Sequence, residues 1–402
     1  MFIRQEFRLY PNKHQKSRLS GWIGCARKVW NIMLAKNIEQ YETNKKFIFA
    51  YDMNSMLPVI KKDVETNYLK DCPSQVLQQK CQDLDTALKN TFKHKRGFPK
   101  FKSKKTDMSG IRFPQGVKYD AGKIYLPKIK DGIKFKMHQE FLGEPGAVTI
   151  KRDKVGDYWV SILMKVEDSF CSEKVDIISS VGVDVGLKEF ATLSDGSVIK
   201  NPKFGKKNKR KIKLAARKHS RKQKGSKNKE KSRIRLAKQH RKIARQRKEF
   251  VIQTAVSIAK EYDLISIEDL NIKGMVKNRK LAFSVSDVGI EMFFSALEWQ
   301  CQKRGKHLNK ISRWFPSSKT CSCCGSIKQD LTLSDRIYKC NECGHEMDRD
   351  LNAAINIDSV GSDEYRRNYG NIRLLDTNDG EVSLSDVAES FGVGSCVALA
   401  TQ

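Results

Sequence analysis

The sequence holds no apolar run long enough to span a bilayer, no signal peptide and no lipidation motif. These absences argue against a membrane-embedded or secreted protein, and the chain reads as intracellular. In a reducing compartment its eleven cysteines are not expected to form a disulfide framework. No internal repeat is apparent, so a repeat architecture is not expected. Acidic residues are in short supply: 46 Asp and Glu stand against 77 Lys and Arg, a formal net charge of +31 over 402 residues. A field that positive works against the compact state unless an anion neutralises it. Nucleic acid is the commonest such anion, and its phosphates reward the charge through counterion release. An anionic membrane surface is the rival, and no spanning or anchoring segment supports it. With 39% hydrophobic residues the chain can bury a core, and its length suits two or three domains.

Residues 5–10 read as a strand that Pro11 breaks. Leu19, Trp22, Ala26, Val29, Trp30 and Met33 follow at helical spacing. A second helix starts at Pro73-Ser74, with Ser74 as its expected N-cap and a stripe of Leu77, Cys81, Leu84, Leu88 and Phe92. From about 107 to 167 the period changes to two, in segments around Ile111, Ile124, Ile133, Val148 and Tyr158 separated by turn signals. That pattern predicts a small antiparallel sheet or barrel. A new unit opens near 178, where Ser180–Gly186 reads as a strand, Phe190–Leu193 as its hairpin partner and Asp195-Gly196 as the next turn. Residues 200–250 are dominated by Lys and Arg. The first half has no period, whereas Lys231 to Lys260 reads as a long helix with Val251, Ala255 and Ile258 on its apolar face. Tyr262–Ile267 reads as a strand ending at Glu268, and Ile290 to Arg304 as an amphipathic helix. The acidic, Gly- and Ser-rich stretch 358–402 is expected to be largely disordered.

Cys321, Cys324, Cys340 and Cys343 form two C-x2-C pairs fifteen residues apart, the spacing of a four-cysteine zinc site. Each pair sets two thiolates on one tight turn, as a tetrahedral ion at ~2.3 Å from sulfur requires. Gly325 and Gly344 follow where a knuckle needs backbone freedom. With no open position, such a zinc ion is structural. Cys323 is a spare and His345 is not needed as a ligand. Cys25, Cys72, Cys81, Cys171, Cys301 and Cys396 read as packing residues. The carboxylates carry the chemistry. Asp184 sits inside an apolar strand, Glu268 ends another, and Asp350 begins a helix whose next turn carries two alanines. A buried Asp is costly unless it binds a cation or accepts several hydrogen bonds, and Asp350 alone reads equally well as a helix cap. Together, two strand acids and one helix acid suit a pair of Mg²⁺ ions ~3.5–4 Å apart acting on a phosphodiester. The basic run 200–250, tethered at both ends beside these strands, reads as a grip on a nucleic-acid backbone.

In order along the chain, Val181-Gly182-Val183-Asp184-Val185-Gly186-Leu187, Ile267-Glu268-Asp269-Leu270, Ser317-Ser318-Lys319-Thr320-Cys321 with Cys324-Gly325, Cys340 with Cys343-Gly344, and Asp348-Arg349-Asp350-Leu351-Asn352-Ala353-Ala354 make a specific pattern. Over about residues 1–357 the chain resembles the TnpB family, accessory proteins of bacterial insertion sequences and relatives of the type V CRISPR effectors. The resemblance implies an α/β plus α+β multidomain fold. An RNase-H-like RuvC nuclease domain (178–315 and 345–357) would be split by a zinc ribbon (316–344). A helical recognition lobe (11–104) and a wedge-like β-barrel (1–10 and 105–170) would precede it. It maps a catalytic triad onto Asp184, Glu268 and Asp350, the last chosen over Asp348 as the second Asp of the Asp-Arg-Asp motif. It implies two Mg²⁺ ions, one structural Zn²⁺ and a guide RNA as cofactors. Double- and single-stranded target DNA would be the partner, in the cytoplasm of a bacterial or archaeal cell in association with the nucleoid. Guide pairing would supply sequence specificity, the protein reading shape and a short flanking motif. Two other classes compete. One is a non-cleaving nucleic-acid-binding regulator or transposition accessory factor. The other is a strand-joining transposase, for which the His-hydrophobe-His motif with a paired Tyr is lacking.

Overall fold

The computed structural model describes residues 1–94, 97–104, 110–120, 122–167, 170–332 and 334–369. The chain divides into two units, Met1–Asp168 and Ser169–Gln402.

In the first unit, alternation turns Ile3, Gln5, Phe7 and Leu9 of β1 (Phe2–Tyr10) inward. A capping box between Asn12 and Gln15 then starts α1 (Lys13–Asn44), whose expected apolar positions from Leu19 to Met33 are all buried. Two further helices are α2 (Ala50–Lys62) and α3 (Ser74–Lys93). Ser74 is not the cap of α3. Pro73 holds that position without a side-chain bond, and the Ser74 hydroxyl instead accepts from Lys61 Nζ at 2.9 Å. Leu77, Cys81, Leu84 and Leu88 are buried as expected, but Phe92, beyond the end of the core, is 60% exposed. The remaining strands are β2 (Ile111–Phe113), β3 (Lys118–Asp120), β4 (Lys123–Tyr125), β5 (Ile133–Lys136), β6 (Glu144–Arg152) and β7 (Tyr158–Lys165). With β1 near the centre they form an antiparallel sheet in the order β2-β6-β7-β1-β5-β4-β3. Among the described residues no pairing joins the two edge strands.

The second unit is built on β8 (Ser180–Val185), β9 (Ala191–Leu193), β10 (Val198–Ile199), α4 (Phe204–Ser220), α5 (Lys227–Glu261), β11 (Leu264–Glu268), α6 (Ile272–Lys277), α7 (Ala282–Val288), α8 (Ile290–Arg304), β12 (His307–Ile311), β13 (Ile337–Lys339), β14 (Glu346–Asp348) and α9 (Arg349–Tyr369). Its five-stranded sheet runs β10-β9-β8-β11-β12; β8, β9 and β10 form an antiparallel meander, and β11 lies parallel to both β8 and β12. One face packs on α5 and α8 through Val181, Val183, Ile265, Ile267, Val251, Ala255, Ile258, Phe293 and Leu297. The other face is covered by α9.

Two expectations change here. The first half of the basic run is helical: α4 packs along α5, although its apolar face is too thin to give a clear period. Asp287 fixes the start of α4 by accepting from the Gly205 and Lys206 amides at 2.8 and 3.1 Å, and Arg247 of α5 holds the same carboxylate at 2.8 Å. The stretch expected to be disordered from 358 begins instead as helix, since α9 runs to Tyr369. Gly361 and Ser362 read as loop residues in sequence, yet both are buried against the sheet. A Cβ at Gly361 would collide with Ser266 Oγ of β11, so the glycine is what lets helix and strand approach. The rest of the expected tail, 370–402, lies outside the described residues.

Candidate active site and metal centre

β8 separates its two faces residue by residue. Val181 and Val183 enter the apolar core, while Gly182 lies against α9, where a Cβ would collide with the Ala354 carbonyl oxygen. Ala353 and Ala354 are buried at this contact. Asp184 shares the α9 face because side chains alternate. Register pairs Val183 with Ile267 across the parallel neighbours, so the next residues, Asp184 and Glu268, stand side by side at the C-terminal end of the sheet. The N-terminus of α9 brings Asp350 to the same end. The capping role that Asp350 might have filled belongs to Asp348, whose Oδ1 accepts the Asp350 and Leu351 amides at 2.9 and 3.1 Å. The Asp350 carboxylate is left to project, held by the Arg349 guanidinium at 3.0 Å.

The electrostatics show that Asp184 feels both of the other acids. Burial, then Glu268 and then Asp350 push Asp184 up to about 7. Burial also raises Glu268, against a hydrogen bond from the Ser317 hydroxyl to Glu268 Oε1. Carboxylates gathered at this cost suit a cation that would join them. Among the described residues only the cysteine group draws its ligand atoms to within 4.8 Å of one another. The three acids are not drawn together that tightly.

The cysteine group lies between β12 and α9 in the chain. Cys321 Sγ is 3.7 Å from Cys343 Sγ and Cys324 Sγ 3.6 Å from Cys340 Sγ. A tetrahedral ion at ~2.3 Å from each sulfur sets its ligands ~3.8 Å apart, so the four thiols are already at the spacing of a zinc cage. Gly325 and Gly344 adopt φ of 75° and 72°, the left-handed turn each knuckle needs. Burial would raise Cys340, but the Cys343 amide and the Ser326 hydroxyl outweigh it and hold the thiol down at about 6. Cys323 packs at the edge of this small core and is not one of the four.

Several contributors were not legible as such. Asn352 and Asn356 lie a turn apart on α9 and are buried. Asn352 donates to the Thr320 carbonyl at 2.7 Å and accepts from the Ser322 amide at 3.0 Å; Asn356 donates to the Ser317 and Thr320 carbonyls at 2.8 and 2.7 Å. They bolt the first cysteine knuckle, and the Ser317 that holds Glu268, to the helix that carries Asp350. The i, i+4 spacing of two asparagines in an otherwise apolar helix face was the available signal. Asp358, two turns below Asp350, is an acid raised to about 6 by burial of its carboxyl against the hydrogen bonds of Ser194 and Ser180.

Comparison with known proteins gives the family of the chain. A "Putative RNA-guided DNA endonuclease" of Streptomyces pristinaespiralis is 33% identical over 359 residues, 89% of this chain and 88% of that protein. The chain belongs to the TnpB family. A second TnpB-family relative, the "Putative RNA-guided DNA endonuclease InsQ" of Escherichia coli K12, is 31% identical over 89% of this chain and 91% of its own length. Three family models match. Residues 161–279 fit one described as "Probable transposase", 291–357 a Cas12f1-like TNB domain, and 1–46 a helix-turn-helix domain. In this TnpB-family chain the last segment is a strand followed by a single unbroken helix, β1 and α1. Among solved structures, a Cas12f1–sgRNA–target DNA complex shares the fold at a TM-score of 0.53 and 19% identity, covering 85% of this chain and 82% of that one.

Proposed function

We propose that this chain is an RNA-guided DNA endonuclease of a transposable element, hydrolysing target-DNA phosphodiesters at a RuvC-type site of Asp184, Glu268 and Asp350. The observation that carries this reading is the convergence of carboxylates from β8, β11 and α9 on one end of the sheet, where burial first and then Glu268 and Asp350 raise Asp184 to about 7, in a chain of net charge +31. Two Mg²⁺ ions held by these acids would supply an activated water and stabilise the leaving oxygen. Ser317 orients Glu268, Arg349 restrains Asp350, and the seat of α9 on Gly182 sets their height over Asp184. The cysteines would hold one structural Zn²⁺ in a ribbon, 316–344, inserted in a nuclease domain that then extends through α9. Residues 11–104 would serve as the recognition lobe, and 1–10 with 105–170 as the wedge. The names of the relatives support RNA as guide and DNA as target. Within the first unit, a groove of about 1150 Å³ lined by Arg18, Arg27, Lys28, Lys128 and Lys130 supports a nucleic-acid backbone as its occupant.

The test is to purify the protein with co-expressed element RNA, sequence the RNA that accompanies it, and supply matching duplex DNA with Mg²⁺. Cleavage by the parent and none by Asp184→Ala is expected; a variant that cuts as well as the parent refutes the site.

A further inference from the structure

Trp314 stands 86% exposed in the turn after β12, whereas the other four tryptophans are buried or partly buried. An indole in water forgoes ~150–250 Å² of apolar burial, which a ligand stacked on the ring would recover. The turn that carries it is ordered by its own hydrogen bonds. The Trp314 amide donates to Ser312 Oγ at 3.3 Å, the Phe315 amide to the Ser312 carbonyl at 3.1 Å, and the Ser317 amide to the Phe315 carbonyl at 3.0 Å. Both ends of the turn are tied to one corner of the carboxylate site. Arg313 pairs with Asp269, and Ser317 donates to the adjacent Glu268. The Asp269 amide closes the corner on the Ile311 carbonyl at 3.3 Å. Trp314 is thus an outward ring on a braced turn whose two flanks hold Glu268 and its neighbour.

We propose that Trp314 is a stacking platform for an unpaired base of the DNA strand that enters the Asp184–Glu268–Asp350 site. This rests on the endonuclease reading above and adds a positioning residue to it. Every base offers a π-face, so a platform of this kind grips a strand without reading its sequence. That suits an enzyme whose specificity is delegated to guide pairing. The ring holds the nucleotide, and the braced turn transmits that position to Glu268 through Ser317.

The test uses guide-loaded protein carrying Asp184→Ala, so that the strand is held uncut. Target duplexes carry 2-aminopurine at successive positions around the cut. Quenching at one or two positions is expected, lost when Trp314→Ala is added and retained with Trp314→Phe. With the acids intact, Trp314→Ala should lower the single-turnover cleavage rate ~5- to 150-fold, the worth of one stacked base. Target binding and melting temperature should stay at the parental values, and Trp314→Phe should restore most of the rate. Equal quenching with and without the indole, or parental cleavage by Trp314→Ala, overturns the platform. The two readings fail separately: cleavage persisting in Asp184→Ala sinks the carboxylate site, whereas an inactive Asp184→Ala beside a fully active Trp314→Ala sinks the platform alone.

Discussion

Asp184 carries an opposition between folding and function. Its carboxyl is raised from 3.8 to about 7, by burial first and by Glu268 and Asp350 next. A carboxyl raised in the folded state favours folding while protonated, and that contribution is lost as pH climbs from about 4 through about 7. In Mg²⁺-free buffer, Asp184→Asn should therefore melt above the parent at pH 8 and close to it at pH 4, by about 4 kcal/mol at most. The same variant should not cut DNA. Calorimetry across that range checks it, and parallel melting curves at every pH would show that the Asp184 carboxyl is not raised. Ser317 makes the converse prediction. Its hydroxyl opposes the burial that raises Glu268. Ser317→Ala should therefore move the acidic limb of the pH–rate profile to higher pH and leave the alkaline limb in place.

At the scale of elements, α9 is the part on which the site depends. Gly182→Val puts a branched side chain where the Ala354 carbonyl lies. It should cost ~1–3 kcal/mol or more of stability and displace Asp350, read as a loss of cleavage greater than the loss of folded protein. Because Asn352 and Asn356 join α9 to the first knuckle, zinc removal should reach the acids. A zinc-selective chelator, with Mg²⁺ in excess, should expose 317–343 to proteolysis and abolish cutting together; Asn352→Ala should speed zinc release. Intact cleavage by zinc-free protein would contradict this coupling. These elements also show what the sequence made legible. Local periodicity and spacing are enough for the helix from Ile290 to Arg304, the core face at Val251, Ala255 and Ile258, and the two cysteine pairs. β12 is partly exposed over most of its length and gave no alternation to read. The buried stretch of α9 at Gly361 and Ser362 looked like loop because its fitness for the helix comes from Ser266 of a distant strand. Asp358 is illegible in sequence for a related reason: its serine partners, Ser180 and Ser194, lie far off along the chain.

Across the whole molecule, a net charge of +31 sets the conditions under which it folds and binds. None of the described helices is long and apolar enough to cross a membrane. The basic hairpin of α4 and α5 presents its lysines and arginines with few acids to neutralise them. RNA-free protein should gain stability as salt rises, since self-repulsion is screened. RNA binding should weaken with salt, by about 10³ to 10⁵ between 50 and 200 mM if some 6–10 phosphates are engaged. Titration at several ionic strengths measures the slope, and a flat line would remove the backbone grip.

The order in which the acids occur has a temporal consequence. Asp184, Glu268 and Asp350 come from β8, β11 and α9, and the last follows both the basic hairpin and the cysteine knuckles. A chain leaving the ribosome from its N-terminus presents the basic hairpin first and completes its acid cluster only when α9 docks. If the proposed acids and basic grip are right, a nascent chain would take up RNA before it could cut, and hydrolytic competence would arrive with its final described helix.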